Sequence, residues 1–382
     1  MSMMTRHLDG FVPSSLLLQM ARRNQSMAQV LIKSLANTNS LWQGSGARTS
    51  QIFRFVGAAS SGDRFMYDAQ NGTTRPGKLV RKEGEANVSD AVVNDGYDHH
   101  GTIRDYYLKV HGRNSIDANG MALKGIVHYD QDYDNAFWDG EYMTYGDGDH
   151  TLFATFMLLN IAAHEMTHGV TEYAVPGGVE YWGQPGAINE HLSDVGGANV
   201  ESWNLNLSAS QYHFLVGKGI WVPSNDPSET LLALRSMRNP GSAYNSKRIG
   251  KDRQPGHMKD YVKTSSDNGG VHTNSGIPNH AYALVCDGIE AAKLGNDWAS
   301  TIGVADKIWY AARPNIGNKP SFAQLAYWTL QACAVVPESE EKLRAIVSKA
   351  WSDVGVTPSK TAADTLTPGP SGDDVVIDEP AA

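Results

Sequence analysis

The sequence His164-Glu165-Met166-Thr167-His168 stands near the middle of a chain of 382 residues and decides how the rest is interpreted. Two histidines four residues apart on a helix lie on one face, within reach of a single metal ion. The glutamate between them can act on a water molecule bound to that metal. The segment therefore predicts a zinc-dependent hydrolase.

A catalytic zinc site needs three protein ligands and an open position for water. Glu172 lies on the same helix, but it is about 12 Å along the helix axis from His164, which excludes it as the third ligand. Residues 186–194 are the best alternative, because Glu190 and Asp194 lie four residues apart on one helical face. One of these carboxylates can bind zinc while the other accepts the ring N–H of a ligating histidine.

Composition excludes several classes of protein. The net charge is -9, and no basic block or basic-aromatic stripe is present, which argues against nucleic-acid binding. No stretch is long enough to span a bilayer. Cys286 and Cys333 are too few for a disulfide scaffold or a cysteine zinc site. We expect both to be small buried residues, although a single bridge between them stays open.

The chain divides into four regions. Residues 1–47 carry one predicted helix, at 14–35, followed by a polar linker at 37–40 and 44–46. Residues 48–174 carry the strand patterns, at 52–56, 64–68, 78–82, 125–129 and in the extended run 136–145, with helices at 90–110 and 150–173. Residues 175–356 carry helices at 187–203, 276–293, 301–312, 321–335 and 338–354. Residues 357–382 form an acidic tail that we predict to be disordered.

Strand patterns early in the chain and helices late in it predict an α+β fold. The two lobes are expected to meet near the long helix that carries the histidine pair. A length of 382 residues is sufficient for two domains of ordinary size.

Five separated motifs, starting with His164–Tyr173 and residues 186–194, resemble the thermolysin-like neutral metallopeptidases. The others are Asn135-Ala136-Phe137-Trp138 with residues 145–149, Leu234-Arg235-Ser236-Met237, and residues 267–276. The likeness covers residues 64–356 in the family's order. It implies a zinc endopeptidase with a β-rich N-terminal lobe, a mainly helical C-terminal lobe and an active-site cleft between them.

The resemblance also implies roles for the residues around the metal. Zinc would be held by His164, His168 and Glu190, with Asp194 as the partner of His164. Glu165 would be the general base toward a zinc-bound water. Negative charge on the substrate carbonyl would be stabilised by His272 and Tyr181, with Asp267 orienting His272.

On the substrate side, the resemblance implies that Asn135 and the backbone of Ala136 pair with an extended polypeptide. Arg235 would bind a substrate carbonyl. Leu234 and Ile161 would line an apolar pocket on the leaving-group side. We therefore expect cleavage before bulky hydrophobic residues.

The N-terminal segment is similar to a known type of prosegment. Residues 12–17, Val-Pro-Ser-Ser-Leu-Leu, resemble the short prosegment motif of the protealysin-like branch of the family. The enzyme would then be made as a proenzyme, with its own residues 1–47 as an inhibitory or fold-assisting partner, and would act as a monomer.

Calcium is where the sequence departs from the family pattern. Glu201 matches a calcium ligand of thermolysin, but Asn160 stands where an aspartate is expected, and Lys218 lies near another ligand position. Calcium needs several oxygen ligands, and a lysine there opposes it. The sequence thus predicts that the double Ca2+ site is lost or weakened.

Two other functions fit the histidine pair: a catalytically silent binding protein with the same fold, and a zinc aminopeptidase. The first is disfavoured because every expected catalytic residue type is present. The second would require an acidic site for the substrate amine. The resemblance implies secretion, yet residues 11–23 do not form a classical signal peptide. A cytoplasmic location therefore stays the alternative.

Overall fold

Two helices open the structure, a computed structural model that describes residues 10–45, 62–294 and 297–361. They are α1 (Ser14–Arg23) and α2 (Ala28–Ser45). The single helix predicted at 14–35 is therefore wrong, and the linker predicted at 37–40 is helical. The side-chain amide of Asn24 donates to the carbonyls of Met20 and Arg248 and so ends α1 against a distant loop.

Three predictions fall on residues outside the described ranges. They are the strand at 52–56, the end of the N-terminal segment near residue 47, and most of the tail at 357–382. These stay predictions.

The N-terminal lobe is built on a five-stranded sheet. Its strands are β1 (Arg64–Asp68), β2 (Lys78–Lys82), β3 (Leu123–Val127), β4 (Ala136–Trp138) and β5 (Tyr142–Tyr145), in the order β2-β1-β3-β5-β4. Strand β3 is parallel to β1 and β5, whereas β2 and β4 are antiparallel to their neighbours. This order leaves β4 at one edge, where its outer side is open to pairing with another extended chain.

Helix α3 (Ala91–His111) packs against β1 and β3. It begins at Asp90, whose carboxylate accepts the backbone N–H groups of Val92 and Val93. It ends at Gly112, whose φ of 63° lies in the left-handed region that glycine adopts without strain.

The helix that carries the histidine pair is shorter than predicted. It is α4 (Leu159–Ala174), so the helix predicted at 150–173 is wrong over residues 150–158. The carboxylate of Asp149 accepts the backbone N–H groups of residues 151, 152 and 153, and the chain then pairs with residues 220–222. Because these bonds already satisfy the backbone, the apolar run is buried without forming a helix.

The C-terminal lobe is mainly helical. Its helices are α5 (Gly183–Leu205), α6 (Asp267–Asn274), α7 (Gly276–Ala291), α8 (Ile302–Ala312), α9 (Phe322–Ala332) and α10 (Glu340–Asp353). Short strands make two small sheets: β6 (Leu215–Val216) with β8 (Arg235–Ser236), and β7 (Thr230–Leu231), β9 (Tyr244–Ser246) and β10 (Gly250–Lys251). Short 3-10 segments lie at Met258–Asp260, Arg313–Asn315, Cys333–Val335 and Pro337–Ser339. The predicted α+β fold is confirmed.

One apolar cluster runs through both lobes. It includes Val127 of β3, Val170 of α4, Val195 of α5 and Trp351 of α10, all buried. Cys286 and Cys333 are buried and free, so no bridge joins them. Of the helices that the structure describes, none is long and apolar enough to cross a membrane.

Candidate active site

Three side chains meet where α4 packs on α5. The Nε2 atoms of His164 and His168 are 3.1 Å apart. Glu190 Oε2 lies 3.4 Å from His164 Nε2, and Glu190 Oε1 lies 3.5 Å from His168 Nε2. Atoms bound to tetrahedral zinc at about 2.0–2.1 Å are roughly 3.4 Å from one another. One ligand atom from each of the three side chains lies within 4.8 Å of the other two, so the group is compact enough to share one metal ion. Within the described ranges, this is the one group of three or more His, Cys, Asp or Glu side chains that could hold a metal ion.

Close packing of the two helices brings these ligands together. A Cβ atom at Gly196 would lie 2.1 Å from the Thr167 hydroxyl oxygen, and one at Gly197 would lie 2.6 Å from the Asn160 carbonyl oxygen. Any side chain at these glycines would push α5 away from α4. The small residues of α5 therefore set the distance between Glu190 and the histidines.

The second nitrogen of each histidine faces an acceptor. His164 Nδ1 lies 2.8 Å from Asp194 Oδ1, and His168 Nδ1 donates to Asn189 Oδ1 at 2.9 Å. With the proton on Nδ1, each Nε2 directs a lone pair at the metal position. The second carboxylate of the predicted pair, Asp194, thus lies beside the ligand His164 rather than among the ligands.

The two histidines differ in their affinity for a proton. Burial lowers the pKa of His168 to about 4, so this ring is neutral at pH 7. Burial alone would lower the pKa of His164 as well, but Asp194 and Glu190 raise it to about 9. A metal ion bound at His164 must displace that proton, and metal binding should therefore weaken as the pH falls.

Glu165 is the buried carboxylate beside the ligand group. Its Oε2 accepts the backbone N–H of Trp138, at the end of edge strand β4, at 3.1 Å. Burial raises the pKa of Glu165 to about 7, and the negative charge of Glu190 adds to the effect. A carboxylate with a pKa near the working pH can both accept and return a proton.

A left-handed turn sets the position of His272. The φ angles of Asp267, Asn268, Gly269 and Gly270 are 53°, 50°, 81° and 78°. This turn folds the carboxylate of Asp267 back so that it accepts from His272 Nδ1 at 2.6 Å and from the His272 backbone N–H at 3.0 Å. His272 Nε2 then lies 3.3 Å from the ligand Glu190.

Tyr181 reaches the same place from the loop before α5. Its hydroxyl donates to Glu190 Oε1 and lies 3.4 Å from His272 Nε2. The Tyr181 hydroxyl and His272 Nε2, neither of which is predicted to ligate the metal, therefore lie directly beside the ligand group.

Residues 10–12 of the N-terminal segment lie buried against strand β4. The backbone N–H of Phe11 donates to the Ala136 carbonyl at 2.9 Å. The side-chain amide of Asn135 accepts the Val12 N–H at 2.9 Å and donates to the Val12 carbonyl at 3.2 Å. The segment is thus bound along the sheet edge as an extended peptide is.

Arg235 and an apolar pocket hold Phe11. Arg235 Nη1 donates to the Phe11 carbonyl at 3.2 Å, and the guanidinium carbon lies 4.6 Å from the centre of the phenyl ring. That ring meets the His164 ring edge-on, with centres 5.2 Å apart. Leu234 and Ile161, predicted to line the pocket, are buried members of the apolar cluster that includes Phe11. Three of the residues predicted to bind substrate, Asn135, Ala136 and Arg235, therefore contact Phe11 or Val12.

Arg235 also stabilises the carboxylate behind the metal site. Its Nε and Nη2 donate to Asp194 at distances between 2.9 and 3.2 Å. Burial alone would raise the pKa of Asp194, but Arg235 and His164 hold it well below its usual range. Asp194 is accordingly charged, and it links Arg235, which binds the Phe11 carbonyl, to His164.

Sequence reasoning missed three contacts at the site: Asn189 with His168, the Trp138 N–H with Glu165, and Asn279 with Asp194. A signal for Asn189 was present, because it directly precedes Glu190 and ligating histidines require such acceptors. The other two depend on how β4 and α7 pack against the zinc helices, which no local pattern encodes.

The region compared with the thermolysin calcium site is filled by hydrogen bonds. The Glu201 oxygens accept from the Asn160 amide at 3.0 Å and from the Tyr212 hydroxyl at 2.6 Å. Asn160 Oδ1 in turn accepts the backbone N–H of Gly217 at 3.1 Å. Neutral donors of this chain occupy both oxygens of the carboxylate.

Comparison with known proteins identifies the family. The family model for the thermolysin metallopeptidase catalytic domain matches residues 53–172, and that for the alpha-helical domain matches residues 177–356. An extracellular metalloprotease of Pectobacterium carotovorum subsp. carotovorum is 40% identical over 301 residues, which cover 78% of this chain and 82% of that protein. Protease PrtS of Photorhabdus sp. (strain Az29) is 32% identical over 366 residues, covering 93% and 94%.

A solved structure agrees with these relatives. The precursor of protealysin, a metalloproteinase from Serratia proteamaculans, superposes with a TM-score of 0.75 at 34% identity, covering 91% of this chain and 99% of that one. The two domains, the histidine–glutamate group and these relatives agree with one another: the chain belongs to the thermolysin family of zinc metalloendopeptidases.

Proposed function

We propose that the protein hydrolyses peptide bonds within polypeptides, with zinc held by His164, His168 and Glu190. The observation that carries this proposal is the close approach of the three side chains: the two Nε2 atoms are 3.1 Å apart, Glu190 Oε2 lies 3.4 Å from His164 Nε2, and Glu190 Oε1 lies 3.5 Å from His168 Nε2. A zinc ion held there supplies the Lewis acidity that lets a water molecule lose its proton near neutral pH.

Glu165 moves the proton. Its carboxylate takes one from the attacking water and returns it to the nitrogen of the leaving amine. The hydrogen bond from the Trp138 N–H fixes this carboxylate beside strand β4, along which the peptide lies. Substrate and base are therefore positioned by the same strand.

His272 and Tyr181 stabilise the negative charge that develops on the carbonyl oxygen during attack. Asp267 fixes the His272 ring through Nδ1 and leaves Nε2 directed toward the metal site. A positioned donor of this kind is worth roughly 10²–10³-fold in kcat.

The binding mode of Phe11 supports a preference on the leaving-group side. The hydrogen bonds of Asn135, Ala136 and Arg235 go only to backbone atoms of residues 11 and 12, so they do not depend on the side chains of the bound peptide. Selectivity rests on the pocket that buries the phenyl ring completely. We infer that substrates carry a bulky hydrophobic residue directly after the cleaved bond.

Occupation of the cleft by residues 10–12 supports synthesis as a proenzyme. No substrate can use the hydrogen-bonding groups of Asn135, Ala136 and Arg235 while the prosegment does. Side chains of α1 and α2 anchor it to both lobes: Gln19 to the Ile249 carbonyl, Lys33 to Asp130, Ser34 to the Asp134 N–H and Thr38 to Tyr133. Together these contacts hold residues 11 and 12 in place as an internal competitor.

The site of action is outside the producing cell in this proposal. One relative is named an extracellular metalloprotease, and a prosegment that blocks the cleft protects the cytoplasm during synthesis.

Hydrolysis of a peptide blocked at its N-terminus, with Phe after the scissile bond, tests this function. The full chain is compared with Phe11→Asp, which removes the phenyl ring from the pocket, and with Leu18→Ala, a control on the exposed side of α1. We expect Phe11→Asp to raise the rate by at least ~10-fold, since it removes the large buried apolar ring that holds the segment in the pocket. Leu18→Ala should leave the rate unchanged.

Metal removal provides the second part of that test. A zinc chelator should abolish hydrolysis by Phe11→Asp, and added zinc should restore it. Cleavage that persists in chelator contradicts a zinc enzyme. Cleavage of only those peptides that have a free amine indicates an aminopeptidase, and no cleavage of any peptide indicates a binding protein.

A further inference from the structure

The two groups proposed to stabilise the carbonyl oxygen belong to different segments of the chain. Tyr181 precedes α5, whereas His272 lies in α6, directly after the left-handed turn at residues 267–270. The Tyr181 hydroxyl and His272 Nε2 lie 3.4 Å apart. Because both must face one oxygen atom of the substrate, the position of one segment relative to the other decides how well they work together.

These two segments pack against each other without free space. A Cβ atom at Gly269 of the turn would lie 3.3 Å from Cε2 of the Trp182 indole, which is closer than ordinary van der Waals contact. A Cβ atom at Gly186, in the first turn of α5, would collide with Val271 Cγ1. The start of α5 and the turn of α6 are therefore in direct contact.

The segment that carries Tyr181 is also bound to the helical lobe on both sides of this residue. The Glu180 N–H donates to the Asn318 carbonyl at 2.8 Å, and the Gln184 side chain accepts the Phe322 N–H at 2.9 Å. These bonds fix the segment at residues 180 and 184, but they act on neither the Tyr181 ring nor its hydroxyl. The position of Tyr181 between them depends on the contacts of residues 181–183 themselves.

Trp182 makes the side-chain contact with the turn. Its backbone is extended, with φ −154° and ψ 136°, and an extended backbone directs neighbouring side chains to opposite faces. The indole therefore points away from the metal site that Tyr181 faces, and it lies against Gly269. Because the side chain is 45% exposed, it contributes little to the core. Its packing on the turn is the contact that can set the position of Tyr181.

We propose that Trp182 is a positioning residue for Tyr181. Its indole, packed on Gly269, holds the Tyr181 hydroxyl where it and His272 Nε2 donate to the same carbonyl oxygen. This proposal rests on the proposed endopeptidase function. Without the indole, residues 181–183 would move relative to the turn, and a displacement of about 1 Å at a catalytic group can lower the rate by about 10²-fold.

The kcat and KM for blocked peptide test this role in the Phe11→Asp background. Trp182→Ala and Trp182→Gln remove the ring in two ways, Trp182→Phe keeps an aromatic ring, and Leu205→Ala is a control at the exposed far end of α5. We expect Ala and Gln to lower kcat by at least ~10-fold, while KM and zinc content change by less than about twofold. Trp182→Phe should restore kcat to within about threefold of the parent value. Leu205→Ala should leave it unchanged.

A double variant separates positioning from a general structural effect. If the indole acts through the Tyr181 hydroxyl, its loss should cost little once that hydroxyl is absent. The kcat of Tyr181→Phe combined with Trp182→Ala should then lie within about twofold of that of Tyr181→Phe alone. Losses that multiply in the double variant would overturn the proposal, as would a Trp182→Ala variant with the parent kcat, and the endopeptidase function would stand. If Phe11→Asp itself hydrolyses nothing, the proposed function fails.

Discussion

The indole N–H of Trp309 donates to Nε2 of His191 at 2.7 Å in the interior of the C-terminal lobe. Because an indole can only donate, His191 carries its proton on Nδ1, which donates to Asn279 Oδ1 at 2.8 Å. The Asn279 amide must then donate to Asp194, also at 2.8 Å. A series of three hydrogen bonds, each donated in the same direction, therefore runs from Trp309 to the Asp194 carboxylate. That carboxylate faces His164, the proposed zinc ligand.

This series of hydrogen bonds predicts that Asn279→Asp weakens zinc binding. Aspartate has the shape of asparagine but cannot donate, so two carboxylates would face each other behind His164. Loss of such an outer partner lowers metal affinity by about 10–100-fold. Competition with a chromophoric zinc chelator measures the change, and Asn245→Asp on an exposed strand is the matched control. A zinc affinity within twofold of the wild-type value would show that this series of hydrogen bonds does not position His164.

Tyr181→Phe should lower kcat and leave zinc affinity and KM nearly unchanged, since the hydroxyl is needed only when negative charge develops. The expected loss is about 10²–10³-fold. It is measured with blocked peptide in a Phe11→Asp background, where the cleft is open. Tyr173→Phe, with a largely exposed ring on α4, is the control. Equal activity of the two variants would remove Tyr181 from the mechanism.

His128 predicts a stability contribution that disappears at alkaline pH. Its ring lies between Asp147, 2.8 Å from Nδ1, and Asp90, 2.9 Å from Nε2. The hydrogen bond and charge of Asp147, with those of Asp90, raise the pKa of His128 to about 9. Since this exceeds the unfolded value of about 6.5, the stabilisation is complete below pH ~6.5 and is lost as the pH rises through 9.

Melting temperatures of wild-type protein and His128→Asn, recorded from pH 5.5 to 10, measure this effect. Asparagine is chosen because the φ of residue 128 is 50°, a left-handed value that it tolerates. The difference between the two proteins should be largest at acidic pH and should shrink toward pH 10. A difference that is constant or grows with pH would contradict the charged triad.

Calcium should not stabilise this enzyme. The Asn160 amide and the Tyr212 hydroxyl already occupy the oxygens of Glu201, and a calcium ion would need those oxygens together with several others. Zinc-loaded protein freed of calcium should melt within about 1 °C of the same protein in millimolar CaCl2. A rise of several degrees would indicate a calcium site, because ligand binding to the folded state raises the melting temperature.

The sequence allowed the zinc ligands to be proposed because helix periodicity acts locally. Two histidines four apart share a face wherever the helix packs, and the Glu190–Asp194 pair obeys the same rule. The same reasoning failed at residues 150–158, where the Asp149 carboxylate and a distant segment satisfy the backbone instead of a helix. Apolar periodicity cannot report such competition.

Contacts between lobes were beyond sequence reasoning. In the sequence alone Phe11 is an ordinary hydrophobic residue, and only the fold brings Ala136 and Arg235 to it. Polar residues at 37–38 suggested a linker, yet Thr38 bonds to Tyr133 and Asn37 to Asp130 from within a helix. In both cases the partner that explains the residue lies about a hundred or more positions away along the chain.

The central claim is that Glu165 moves the proton at a zinc site. The direct measurement is the kcat of Glu165→Gln for a blocked peptide, in the Phe11→Asp background, together with its zinc content. Glutamine keeps the size of the side chain and cannot accept the proton. We predict one zinc per chain and a loss of about 10²–10⁴-fold in kcat. A variant that binds zinc and retains the parent kcat within a few-fold would contradict the mechanism.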